Sequence, residues 1–172
     1  IFLACLALGV AAIAAVGTVR AAIEAGLASE GAALLGGDAE LELTYRFANE
    51  DERAWMRSKA QRVAEIAEFR SMAVVGAERG LTQVKAVDNL YPLIGAVKLD
   101  PDMTITAALA PQDDVPGAVM ERVLIDRLGL EIGDTFKLGT QDFRLSAQLV
   151  NEPDSAGGGF GLGPRTIVLT QA

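Results

Sequence analysis

The chain opens on nineteen positions, IFLACLALGVAAIAAVGTV, without a charge, and Arg20 is the first charged residue. At helical rise such a run spans about 28 Å, close to a hydrocarbon core of about 30 Å. A cleaved signal peptide would carry a Met start, a basic lead and a small-residue cleavage site, and this start has no Met and no basic lead. A buried core helix of this length rarely lacks every charge. The pattern therefore predicts a transmembrane helix over residues 1–19. Cys5 makes no lipoprotein site, because the apolar run follows it, and it reads as a small buried apolar residue.

From Arg20 to Leu35 the sequence RAAIEAGLASEGAALL is rich in Ala, Leu and Glu, which are strong helix formers. Ile23, Leu27 and Leu34 recur at near-helical spacing, with Arg20, Glu24 and Glu30 on other faces. Gly36-Gly37 supplies a stop. The expectation is one long helix that leaves a bilayer and continues over residues 20–36 as a stalk. The acidic balance beyond it favours the outer face of a membrane. The absence of an initiating Met and the strand-like final run RTIVLTQA lead us to expect a piece of a longer protein.

Residues 37–172 change pattern. Ala39 to Phe47 alternates Leu41, Leu43 and Tyr45 against Glu40, Glu42 and Arg46, as a half-buried strand does. Asn49 before Glu50, Asp51 and Glu52 reads as a capping box, opening a helix to about Val63 with Trp55, Met56, Ala60 and Val63 as its apolar side. Ala67 to Val75 and Thr82 to Val87 read as strands joined through the Gly76 to Gly80 turn. Asp114, with Pro116 in the first turn, predicts a helix to Leu128 with Met120, Val123, Leu124 and Leu128 as its stripe and Gly129 closing it. Asp134 to Val150 reads as a hairpin turning near Gly139, with Phe143, Leu145, Ala147 and Leu149 alternating against Arg144, Ser146 and Gln148. Arg165 to Thr170 is a last strand. Strands outnumber helices and no βαβ rhythm appears, so the class is α+β: an N-terminal transmembrane and stalk helix, then a mixed domain.

Composition narrows the chemistry. A net charge of −8 and a pI near 4.6 argue against nucleic acid as a partner. With no His and one Cys, Ser-His-Asp and Cys-His catalysis are ruled out, as are most zinc sites. The acids at Glu50-Asp51-Glu52 and Asp113-Asp114 read as helix starts, and no calcium-loop spacing occurs. The glycine-rich run AGGGFGLGP, Ala156 to Pro164, lacks the Lys and Ser/Thr of a phosphate loop and reads as a mobile loop. Its Phe160 and Leu162 are apolar in a segment expected to be exposed. They either tuck into the core or offer a contact to a partner or lipid. Those two are the candidate site residues; no catalytic, cofactor-binding or metal-binding residue is predicted.

The helix, the stalk and the unit ERVLIDRLGLEIGDTFKLGTQDFRLSAQLV together resemble the extracytoplasmic domain of FtsX-like ABC transporter permeases, the MacB and LolC/LolE type. The shared element is a helix, then LGL-x-x-GD-x-x-x-L, matched by Leu128 to Leu138, then a strand hairpin. VKAVDNLYPLIGAV (Val84 to Val97) and NEPDSAGGGFGLGPR (Asn151 to Arg165) look most like the YbbP-type branch. The resemblance implies the first transmembrane helix and first large periplasmic domain of an inner-membrane permease. Such a domain passes ATP-driven motion to a hydrophobic or amphiphilic substrate: a lipid, lipoprotein, peptide or toxin. It implies a cytoplasmic ABC ATPase subunit, the remaining transmembrane helices, the bilayer and a periplasmic protein as partners. ATP would sit on the ATPase, with no cofactor and no enzymatic activity in this chain. A single-span anchored sensor or adaptor is the alternative. An anchored hydrolase comes third, since no GxSxG occurs.

Overall fold

A computed structural model describes residues 2–34, 36–154 and 163–171. Helix α1 (Phe2–Leu34) runs unbroken for 33 residues, about 50 Å at helical rise. Its described side chains over residues 9–26 are all exposed, including Val10, Ile13, Val16, Val19 and Ile23. The stretch Gly9–Gly26 has a mean hydropathy of 1.4 and is long and apolar enough to cross a membrane. Exposure sets aside the buried core helix as an explanation of its composition. Gly36, just past the helix, takes the left-handed φ of 68° that a helix stop calls for.

The rest of the chain is α+β, as the pattern predicted. In chain order it comprises α2 (Glu50–Lys59), β1 (Ile66–Val75), β2 (Glu78–Val87), β3 (Lys98–Asp100), α3 (Ile105–Leu109) and β4 (Gly117–Glu121). Then follow α4 (Arg122–Leu128), β5 (Thr135–Leu138), β6 (Gln141–Asn151) and β7 (Arg165–Leu169). Pairing closes on itself in the order β1–β2–β7–β4–β6–β5–β1, and β3 adds to the far end of β6. β2 with β7 and β4 with β6 are parallel; the other pairs are antiparallel. A closed ring leaves few open strand edges to pair with other chains.

Two cores lie on opposite faces of these strands. One draws on every strand of the ring and on α4, through Ala73, Val84, Met120, Leu124, Phe136, Leu145 and Val168. The other gathers Val87, Tyr91, Leu99, Leu109, Val119, Ala147 and Ile167 around α3. The alternation predicted for β6 is real, yet its apolar residues divide between the two cores. Ala118 faces Leu145 and Val119 faces Ala147, so Ser146 is the extra residue of a bulge that reverses the faces.

Three sequence expectations are corrected. Residues 39–47 form no strand. Leu41, Tyr45 and Phe47 are exposed, Tyr45 sits at φ 59°, and no described strand lies alongside to pair with the alternating face. α2 begins on the predicted capping box, Asn49 with Glu52, but stops at Lys59 because Ala60 is extended. The chain beyond must reach β1, and the Glu65 N–H donates to the Asp88 carboxylate on the way. The predicted 114–128 helix is in its first half the central strand β4. Asp113 and Asp114 both have left-handed φ, 52° and 63°, and close a tight turn instead of capping a helix. Gly117 to Met120 are then buried between β6 and β7. A Cβ at Gly117 would collide with the Ala108 carbonyl, so only glycine lets α3 approach there. The second half is α4, ended by Gly129 at φ 63° as predicted. Leu124 and Leu128 of the predicted stripe are buried, whereas Val123 is exposed.

Candidate functional site

The predicted contact residues Phe160 and Leu162 lie outside the described residues. What the structure brings together instead is a buried ionic cluster that joins β2 and β7 to the segment just after β6 and to β1. Lys85 stands on β2 in a run, Val84 to Val87, in which every residue is buried. Only 2% of its side chain is exposed, and a lone ammonium there would cost several kcal/mol. Its partners supply the compensation. The Lys85 Nζ donates to Asp154 Oδ2 at 2.7 Å and to Glu152 Oε2 at 3.2 Å, and lies 4.8 Å from the centre of the Tyr91 ring.

The network continues outward. The Tyr91 hydroxyl donates to Asp154 Oδ1 at 2.8 Å, so both oxygens of Asp154 are engaged. Arg165, the first residue of β7, pairs through Nε with Glu152 Oε1 at 2.9 Å and through Nη1 with Glu68 on β1. Gln83 Nε2 donates to the other Glu68 oxygen at 3.1 Å. Two cations thus face three carboxylates with one phenol between.

Burial and partners set the ionisation. Burial pushes the Glu152 carboxyl above the ordinary 4.5, outweighing the pull of Lys85 and Arg165 toward the ionised form. Burial, then the charge and hydrogen bond of Asp154, push the Tyr91 phenol well above its ordinary 10.0, so it stays a donor. Burial alone would lower Arg165, but Glu152 and Glu68 overcome it and hold the guanidinium above its ordinary value. Among the described residues no group of His, Cys, Asp and Glu could hold a metal ion. The cluster fastens strands together and presents no free nucleophile or acid–base pair.

The cluster also touches the exit of α1. A Cβ on Gly36 would lie 2.9 Å from Asp154 Cβ, so the chain leaving the helix runs directly against that residue. A separate open groove of about 390 Å³ lies between α2 and the ends of β2 and β7. It is lined by the apolar Val63, Leu90 and Leu169 and the charged Arg57, Glu65 and Asp88. Its carboxylates are already engaged: Glu65 pairs with Arg53 at 2.9 Å, and Asp88 accepts the N–H groups of Glu65 and Leu90.

Sequence reasoning missed the cluster because its members are far apart along the chain. Lys85 and Asp154 are 69 residues apart. One signal was available, a lysine inside the otherwise apolar run VKAV, which has no polar face to carry it. The two stretches that carried the resemblance to the YbbP-type branch also supply every member of the cluster except Glu68 and Gln83.

No family model matches the chain. It is 29% identical over 166 residues to an uncharacterized ABC transporter permease, YbbP, of Escherichia coli (strain K12). That match takes in 95% of the chain but only 19% of the relative's own length. The extracellular domain of a noncanonic ABC-type transporter, YknZ, from Gram-positive bacteria superposes with a TM-score of 0.46 at 10% identity. The superposition covers 63% of this chain and 54% of that one. The resemblance to ABC transporter permeases of the YbbP type is borne out by the first of these relatives.

Proposed function

We propose that this chain is the first transmembrane helix and first large extracytoplasmic domain of an ABC transporter permease in the inner membrane. In this reading the domain passes ATP-driven motion of the membrane helices to a hydrophobic or amphiphilic substrate, a lipid, lipoprotein, peptide or toxin, for its export or extraction. The carrying observation is the likeness to the YbbP permease over 95% of the chain. ATP binds a separate cytoplasmic ABC ATPase, and this chain contributes no catalysis and no cofactor. Its other partners are the remaining membrane helices, the bilayer and a periplasmic protein.

The character of α1 supports the membrane part of this reading. Val10, Ile13, Val16 and Val19 are all more than half exposed. At about 2 kcal/mol for each such side chain removed from water, the gain on entering lipid is on the order of 8 kcal/mol. The continuity of α1 from Phe2 to Leu34 supports the mechanical part, since an unbroken helix carries displacement along its axis.

The test is hydrogen exchange on the purified full-length parent with its ATPase, with and without a non-hydrolysable ATP analogue. The reading expects altered exchange at the amides around Gly36 and in the 152–154 segment. A domain whose exchange ignores nucleotide altogether would contradict it.

A further inference from the structure

We propose that Asp154 is the joint by which α1 is held to the sheet, and through which displacement of that helix reaches β2 and β7. The inference deepens the transmission role proposed above and rests on it.

The geometry is a chain of close contacts with no slack. The described side chains of α1 over residues 9–26 are exposed, and a close approach to the domain is made just past the helix end. There Gly36 adopts φ 68°, and a Cβ on it would meet Asp154 Cβ at 2.9 Å and Asp154 Oδ2 at 3.4 Å. Gly37 is buried beside it, its Cβ position 3.9 Å from the Leu93 side chain, and the Leu93 carbonyl accepts from Arg62 Nη2 at 3.0 Å. The helix exit is therefore seated between Asp154 and the loop that follows β2.

Asp154 cannot yield freely. One oxygen takes the bond from Lys85 at 2.7 Å and the other from the Tyr91 hydroxyl at 2.8 Å. Lys85 belongs to β2, which pairs in parallel register with β7, Lys85 facing Ile167. Through Glu152 the same ammonium reaches Arg165 at the start of β7. On the backbone side, Pro153 fills the space that a side chain on Gly95 would need, at 2.6 Å from its Cβ position. Charge-assisted bonds out of water are stiff, and close-packed groups transmit a push instead of absorbing it. A shift at Gly36 therefore loads a side chain tied through one oxygen to Lys85 on β2 and through the other to Tyr91 in the loop that follows it.

The test measures distances between nitroxide labels in the full-length parent in lipid nanodiscs, in a background with native cysteines replaced. One pair joins Ala21 on α1 to Glu78 at the tip of the β1–β2 hairpin; a second, Glu78 with Gln141, lies within the domain. The parent is expected to show a single narrow Ala21–Glu78 distance. Asp154→Ala is expected to lose that narrow peak while the Glu78–Gln141 distance stays as it was. Gly36→Ala, which acts on the same contact from the other side, is expected to do the same. The double variant is expected to be no broader than Asp154→Ala alone, because one joint can be lost only once. A narrow peak that survives Asp154→Ala overturns the proposal, as does additive broadening in the double variant. If Asp154→Ala also disturbs the internal pair, Gly36→Ala decides: loss of the narrow peak there upholds the joint, and its survival overturns it. The measurement needs neither ATPase nor substrate, so its failure and the failure of the transport reading are separate results.

Discussion

Replacing Lys85 with Met removes the central charge of the cluster while nearly conserving side-chain volume, so the loss isolates the electrostatics. Lys85 is 2% exposed and bonds Asp154 at 2.7 Å and Glu152 at 3.2 Å. Breaking a buried ion pair from one side costs about 3–5 kcal/mol, because the partner is left charged and dry. Here neither partner is left alone: Glu152 keeps Arg165 at 2.9 Å and Asp154 keeps the Tyr91 hydroxyl at 2.8 Å. The expected destabilisation therefore sits near the lower bound, about 3 kcal/mol, or roughly a hundredfold in the unfolding equilibrium. Hydrogen exchange of the core amides of β2 and β7 near pH 7 reads this directly as lost protection. Glu152 adds a dependence on pH. Its folded pKa lies above 4.5, so its proton-linked contribution is full below pH 4.5 and is lost as pH rises through the folded value. Without Lys85 that value moves higher still, so the penalty of Lys85→Met shrinks as pH falls from 7 toward 5. A loss under about 1 kcal/mol at pH 7, typical of an exposed pair, would refute the account of the cluster as a buried fastening.

Other consequences follow from particular contacts. Asn49→Ala removes one half of the capping box on α2, and helix protection there is expected to fall by about 1 kcal/mol. Glu52 is held down to about 2 by its hydrogen bond to Arg46 and then by the Asn49 N–H. Its contribution is present above pH 4.5 and lost as pH falls through about 2; carboxyl NMR titration checks this, and an ordinary midpoint would refute the pairing. Gly117→Ala sets a methyl against the Ala108 carbonyl, and the expected cost is about 3 kcal/mol or more, measured by thermal unfolding of the full chain in mild detergent. Ile13→Lys puts a charge in the exposed apolar stretch of α1. Membrane insertion is expected to weaken by about 3 kcal/mol, read as a fall in the membrane-integrated fraction.

The sequence made some elements plain and hid others for identifiable reasons. β2, β5 and β6 were legible because buried and exposed positions alternate along much of their length, whereas β1 and β7 were legible as short runs closing on the β-branched Val74-Val75 and holding Thr166, Ile167 and Val168. β4 was not, because a central strand buried on both faces has no alternation, and Met120 with Leu124 mimics helical spacing. β3 and α3, of 3 and 5 residues, are too short to show a period at all. The alternation at residues 39–47 misled, since amphipathic spacing makes a strand only where another strand can pair with it. The cluster was invisible for a different reason: it depends on which distant charges the ring of strands brings together, and spacing along the chain does not encode that. Lys85 in its apolar run was the trace it left.

The proposed role is that of part of a permease driven by an ATPase. Its most direct test is to isolate the full-length parent from native membranes in mild detergent and ask what comes with it. An ABC ATPase is expected in stoichiometric amount. Reproducible recovery without any ATPase, from a parent holding a single membrane span, would contradict it and make the chain an anchored adaptor.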